Sequence, residues 1–216
     1  MLRPNSPIGE FFSWIYNLLM LSILYLAFSL PVFTAGAAVI ALYEEVYAVR
    51  EGREGIIFKD FFDAFRRNFR KGLGLLLFYA FEILLIGGIG GALILVNVPV
   101  RPALLLSLAV VGGVGCWVAA LAGRFEQKLT VTVRNAYLIG IRNLPVTLLL
   151  SLINFGIPAL VWLLPQEFLR WYLFALLFFV PAGCAFLTSI VVLRVLEKQY
   201  PEQSVRDETQ QRVKEN

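Results

Sequence analysis

Very few side chains in this sequence could do chemistry away from water. Glu82 stands in "LLLFYAFEILLIGG", ten residues into an otherwise uncharged apolar block. If the block is helical, the carboxyl lies about 15 Å from the block's start at 1.5 Å per residue. An ionised carboxylate near mid-membrane is costly, so Glu82 must carry a proton or find partners. Asn154 lies nine residues past Pro145 in a later apolar block that runs in the same direction, and Tyr79 precedes Glu82 by one turn. Together they form a candidate intramembrane polar cluster of Glu82, Asn154 and Tyr79. It serves either to hydrogen-bond helices to one another or to act on a proton or solute.

Other chemistries find no carrier in the pattern. The chain has no histidine, which removes imidazole metal ligation and histidine-based triads. No carboxylate pair, Ser/Lys dyad or metal-ligand spacing stands at the ends of the apolar blocks. Glu44-Glu45 and Glu51/Glu54 read as solvated faces. "GGIGG" (87–91) lacks the Lys-Ser/Thr that a phosphate loop needs. Its Gly87 and Gly91 form a GxxxG, and Gly115, Ala119 and Gly123 continue a small-xxx-small row, so close helix packing is expected there. Cys116 and Cys184 both fall inside apolar blocks and read as small packing residues. The expectation is a chain with no catalytic residues, no metal and no cofactor.

The elements that must position Glu82 follow from composition. Hydrophobic residues make up 59% and charged residues 16% of 216, against roughly half and a quarter in soluble domains. Five blocks approach or exceed the ~17–25 residues that cross a hydrocarbon core as helix: 11–30, 73–96, 103–122, 146–164 and 170–193. Pro158 and Pro181 lie inside the last two, where neighbouring helices can satisfy the freed carbonyls. The predicted fold is all-α: a polytopic membrane helix bundle of five transmembrane helices plus cytoplasmic interfacial helices. It forms one domain over 1–198, with a polar tail over 199–216.

Loop charge predicts the orientation. Segments 37–72, 123–145 and 194–216 hold sixteen basic residues, whereas the opposite side has Arg3, Arg101 and Arg170. The N-terminus is therefore expected outside, with the long loops and tail cytoplasmic against an anionic inner leaflet. "FTAGA" (33–37) resembles a signal-peptidase site. The run before it is longer than a signal core, however, and cleavage would export the most basic loop.

Pro31 disfavours helix at Leu30 and marks an elbow. Beyond it, about 15 residues with Val39, Leu42, Tyr43, Val46 and Tyr47 on one face are too few to span. They predict a half-helix along or just below the interface. "FKDFFDAFRRNFRKG" (58–72) then places Phe58, Phe61, Phe62, Phe65 and Phe69 on one helical stripe. Asp60 and Asp63 come early and Arg66, Arg67, Arg70 and Lys71 late, in the order the helix dipole favours, with Asp63–Arg67 a candidate i,i+4 pair. Such a helix lies in the interface, rings down and bases toward headgroups. A nucleic-acid platform is excluded, because the rings would have to leave the apolar layer to stack on bases. "KLTVTVRNAYLIGIR", with Leu129, Val133, Ala136/Tyr137 and Ile141 on one face, and "RNLP" (142–145) after it, weakly echo this arrangement.

The segment "SLPVFTAGAAVIALYEEV…GREGIIFKDFFDAFRRNFRKG" resembles the YesL family of bacterial integral membrane proteins. The resemblance rests on Leu30, Pro31, Thr34, Gly36, Ala37, Ala41, Leu42 and Tyr43, then Phe58, Phe61, Phe62, Phe65, Asn68 and Phe69. An Asn and a Trp usual in that family's first span have no clear counterpart here. The family is of unknown function, and its members tend to accompany carbohydrate import systems and sensor kinases. The resemblance thus implies a non-enzymatic accessory or regulatory component, with transporter or sensor-kinase subunits as partners. The alternative is a small transporter or channel built on Glu82 and Asn154, which in a five-span chain calls for a homo-oligomer.

Overall fold

The computed structural model describes residues 7–53, 55–95, 100–160, 171–174 and 177–199. The polar tail beyond Gln199, Glu54, Arg3 and residues 161–170 lie outside the described residues. Those described form helices α1 (Pro7–Ser29), α2 (Ala35–Arg50), α3 (Ile57–Arg67), α4 (Phe69–Leu95), α5 (Val100–Arg124), α6 (Leu129–Arg142), α7 (Leu144–Ser151) and α8 (Val180–Gln199), with no strand among them. Five helices are long and apolar enough to cross a membrane: Phe12–Ser29, Val32–Arg50, Phe69–Leu95, Leu105–Arg124 and Val180–Gln199. The chain is a multi-pass membrane protein of the all-helical class that the apolar blocks predict.

One of the five was not predicted as a span. Val32–Arg50, predicted as a half-helix too short to span, has the length and composition to cross. Within the fold α2 is the central helix, packed against α1, α3, α4, α5 and α8. Its contacts show how it lies. At its start, Gly36 meets the backbone of Gly72 in the first turns of α4. At its middle, Ile40 and Tyr43 press on Gly123 at the end of α5. Just past its end, Glu51 pairs with Arg124. Lys71 in turn donates to the carbonyls of Ala122 (2.7 Å) and Phe125 (2.9 Å), satisfying orphan acceptors at the end of α5. Start, middle and end of α2 therefore meet the same basic end of the α4–α5 pair. The helix lies across that end of the bundle as a floor.

The local sequence explains the floor. Thr34 Oγ1 donates to the carbonyls of Phe28 and Pro31, both at 2.6 Å, tying the elbow to the last turn of α1. A 3-10 turn over Val32–Thr34 then feeds α2. At the other end Gly52 takes a left-handed φ of 65°. Its N–H bonds Val49 O while Arg53 N–H bonds Ala48 O, a glycine-terminated stop.

The fourth predicted span, 146–164, is described as far as Leu160, where it is the helix Leu144–Ala159 entered through a sharp bend. Leu129–Arg142 and Leu144–Ala159 meet at 108°. Pro145 sits in the first turn of α7, where its missing N–H costs nothing. The bend is held by Thr147 Oγ1, which donates to Gly140 O at 2.8 Å and accepts from Trp117 Nε1 at 3.1 Å. Pro158 follows a π-helical turn over Leu152–Gly156. A proline ring clashes with the carbonyl four residues back, here that of Asn154, and a wider turn relieves it. The fifth span, predicted as 170–193, is interrupted by a turn at Phe179; α8 starts at Val180 and runs to Gln199. The N–H of Ala182 is capped there by Ser22 Oγ of α1 at 3.2 Å. In α6 the buried residues are Thr132, Ala136, Ile139 and Gly140; of the predicted Leu129, Val133, Ala136/Tyr137 and Ile141 stripe, Ala136 is buried and Leu129 and Val133 pack against the core, while Ile141 is exposed.

Candidate functional site: a cavity above the α2 floor

A cavity of about 560 Å³ opens above α2. Val39, Leu42 and Tyr43 of α2 form its base. Tyr79 and Glu82 of α4, Gly112 and Cys116 of α5, Asn154 and Pro158 after α7, and Pro181 and Cys184 of α8 form its walls. Tyr25 and Leu26 of α1 complete it. The three residues of the predicted polar cluster thus share one cavity, but they do not bond to each other. Tyr79 Oη donates to Gly115 O at 3.3 Å. Asn154 Nδ2 donates to Leu150 O at 3.0 Å and to Thr188 Oγ1 at 2.9 Å. Glu82 is 5% exposed, and its Oε1 is buried without a hydrogen-bond partner. Its other oxygen lies against Gly115, where an added Cβ would come within 2.6 Å.

The glycine row divides in two. Gly115 makes room for Glu82 and Tyr79, and Gly123 admits the backbone of α2. Gly87 and Gly91 do not pack against that row: within 4 Å of a Cβ at either position there is nothing among the described residues. The closest glycine pair lies outside that row, Gly36 with Gly72. A Cβ on Gly36 would fall 2.1 Å from Gly72 O, and one on Gly72 would fall 2.3 Å from Ala37 N. The signal for it was Gly72 closing the basic run, one residue after Lys71.

The interfacial stripe divides as well. Phe61 is fully buried, and Phe61, Phe62 and Phe65 surround the ring of Phe28 on α1 at centroid distances of 4.9–6.0 Å. Phe65 and Phe69 stack edge-on, while Phe58 and Phe62 keep exposed faces. The bases are not all turned to headgroups. Arg67 pairs with Glu44 rather than with Asp63, and Asn68 Nδ2 bonds the same carboxylate at 2.9 Å. Lys71 caps α5 as described. Arg66 and Arg70 stay exposed. Of the acidic residues, the described Glu44, Glu45 and Glu51 are correspondingly not solvated faces. Glu44 holds Arg67 and Asn68, Glu45 is buried, and Glu51 bridges Arg53 and Arg124. Glu44, Glu45, Arg53, Asn68 and Arg124, with Asp60, line a second, polar cavity of about 330 Å³ below the floor. Both cysteines are buried and free.

The motif residues acquire roles from this geometry. Pro31 and Thr34 make the elbow, Gly36 sets the approach of α2 to α4, and Leu42 and Tyr43 floor the cavity. Among the described residues no group of three or more Cys, Asp or Glu is placed to hold a metal.

Neither a curated protein nor a solved structure matches the chain. Residues 15–97, under half of the chain, are similar to a family described as "Protein of unknown function, DUF624". The matched stretch runs from α1 through α4, the elements that build the elbow, the floor and the wall bearing Glu82.

Proposed function

We propose that this protein is a non-enzymatic accessory or regulatory component of a bacterial membrane assembly, such as a carbohydrate uptake or sensing system. It sits in the cytoplasmic membrane with its N-terminus outside and the basic end, floor included, facing the cytoplasm and its anionic leaflet. The resemblance of the elbow and Phe-rich segments to the YesL family supports the setting. The observation that carries the reading is the bare face of α4 at Gly87, Gly88 and Gly91, where a Cβ would touch nothing within 4 Å. Small residues in a membrane helix let another backbone approach closely, and here no helix of the chain does so among the described residues. A partner's helix, from a transporter or sensor-kinase subunit, fits that face. Purification in mild detergent at native expression recovers such subunits with the chain, and Gly87→Leu with Gly91→Leu releases them. Repeated recovery of the chain alone refutes the reading.

A second reading, a small transporter or channel, is favoured by the cavity and its unpaired Glu82. Its test is solute or proton flux in proteoliposomes, abolished by Glu82→Gln. Absence of flux across a broad panel retires it.

A further inference from the structure

The geometry points to the cavity above α2 as a binding site for a lipophilic organic cation, its charge held by Glu82 and its apolar body by the tyrosine and aliphatic walls. The inference shares with the second reading only the premise that the cavity takes a ligand, and it does not require transport.

Three observations converge. The first is size: about 560 Å³ lies within the ~300–1,000 Å³ of small-molecule sites, which are mostly apolar with a few polar groups that orient the ligand. The second is charge. Glu82 is the one ionisable carboxyl on the cavity wall, and no Lys or Arg lines it among the described residues. Of the polar side chains that share the cavity, Tyr79 is engaged on Gly115 O and Asn154 on Leu150 O and Thr188. One oxygen of Glu82 is left buried and unpartnered. A carboxyl so placed stays neutral, or becomes an anion when a counter-charge arrives with it. An organic cation supplies that charge without the hydration that keeps a metal ion or a simple ammonium out of apolar surroundings. The third is the wall itself. Tyr25, Tyr43 and Tyr79 line the same space as Glu82, and aromatic faces attract cations that have shed water.

A neutral lipid chain would use the apolar wall and ignore Glu82, and an anion of the same shape would meet an uncompensated acid. Charge sign therefore separates the occupants. The test is equilibrium binding of radiolabelled tetraphenylphosphonium to the full chain in detergent micelles, with empty micelles subtracted and tetraphenylborate, similar in shape and opposite in charge, run alongside. The expected result is saturable binding of tetraphenylphosphonium at one site per chain and none of tetraphenylborate. Glu82→Gln should weaken binding at least tenfold, and Glu82→Asp, which keeps the charge, should restore most of it. Equal binding of the two ions, no saturable binding of the cation, or full binding by a folded Glu82→Gln variant overturns the inference. Should the Gln variant fail to fold, the comparison of the two ions on the unaltered chain still decides. Flux that depends on Glu82 without cation binding would overturn this assignment and leave the transporter reading standing. Binding without flux would do the reverse.

Discussion

The sharpest structural prediction concerns Gly36 and Gly72, where the floor helix touches α4 backbone to backbone. A methyl on Gly36 would fall 2.1 Å from Gly72 O, while ordinary contact begins at 3.4 Å, so the two helices must part by about 1.3 Å. A methyl on Gly72 demands about 1.1 Å against Ala37 N. The opposing atoms are backbone and cannot rotate aside, so the cost belongs near the top of the ~1–3 kcal/mol range for overpacking. Alanine recovers up to ~1 kcal/mol of helix propensity over glycine. The net loss is about 2 kcal/mol for either Gly36→Ala or Gly72→Ala, or ~4–8 °C in melting temperature by the scaling for chains of this size. Because both methyls open the same gap, the double variant should cost well under twice the single one. Thermal unfolding in detergent, followed by circular dichroism, reads all of this. Gly87→Ala is the control: with nothing within 4 Å, it should melt at or slightly above the unaltered chain. If Gly72→Ala melts no lower than Gly87→Ala, α2 does not lie against α4 as described.

Further expectations follow from the same contacts. Phe61→Ala, at a fully buried ring, should cost ~3–5 kcal/mol. Phe58→Ala, 58% exposed, should change the melting temperature little while weakening association of the α3 face with vesicles. Thr147→Val leaves the buried Trp117 Nε1–H without its acceptor and should cost ~1–3 kcal/mol, seen as a lower melting temperature and altered tryptophan fluorescence. A double-mutant cycle on Glu44 and Arg67, whose pair is part-exposed, should return a coupling of ~0.2–1 kcal/mol. The same cycle on Asp63 and Arg67 should return none.

The fold class was readable because uncharged runs of twenty residues admit few structures, and Glu82 was visible because it interrupts one of them. The π-turn at Asn154 was foreshadowed by Pro158, four residues on, but a proline alone does not say whether a helix kinks, widens or stops. The placement of α2 was the harder matter. Fifteen residues after an elbow give its length, yet nothing local says that the helix enters the bundle instead of lying on its surface. That is decided by Gly72 and Gly123, far along the chain, which leave room for it. The acidic residues were misread for the same reason. Glu44 and Glu51 look solvated in sequence because Arg67 and Arg124, their partners, are 23 and 73 residues away. The face at Gly87 and Gly91 has the pattern of a packed one, yet among the described residues nothing lies within 4 Å of a Cβ there, which periodicity cannot reveal.

The cavity above α2 exists only if α2 lies across the basic end of the bundle instead of passing through it. Single cysteines at Val32, Lys59 and Lys128, introduced in a Cys116→Ala/Cys184→Ala background, test this with a membrane-impermeant maleimide on sealed right-side-out and inverted vesicles. With α2 as a floor, all three label from the same side. Labelling of Val32 and Lys59 from opposite sides would make α2 a true crossing, and the floor, with the cavity it closes, would fall with that result.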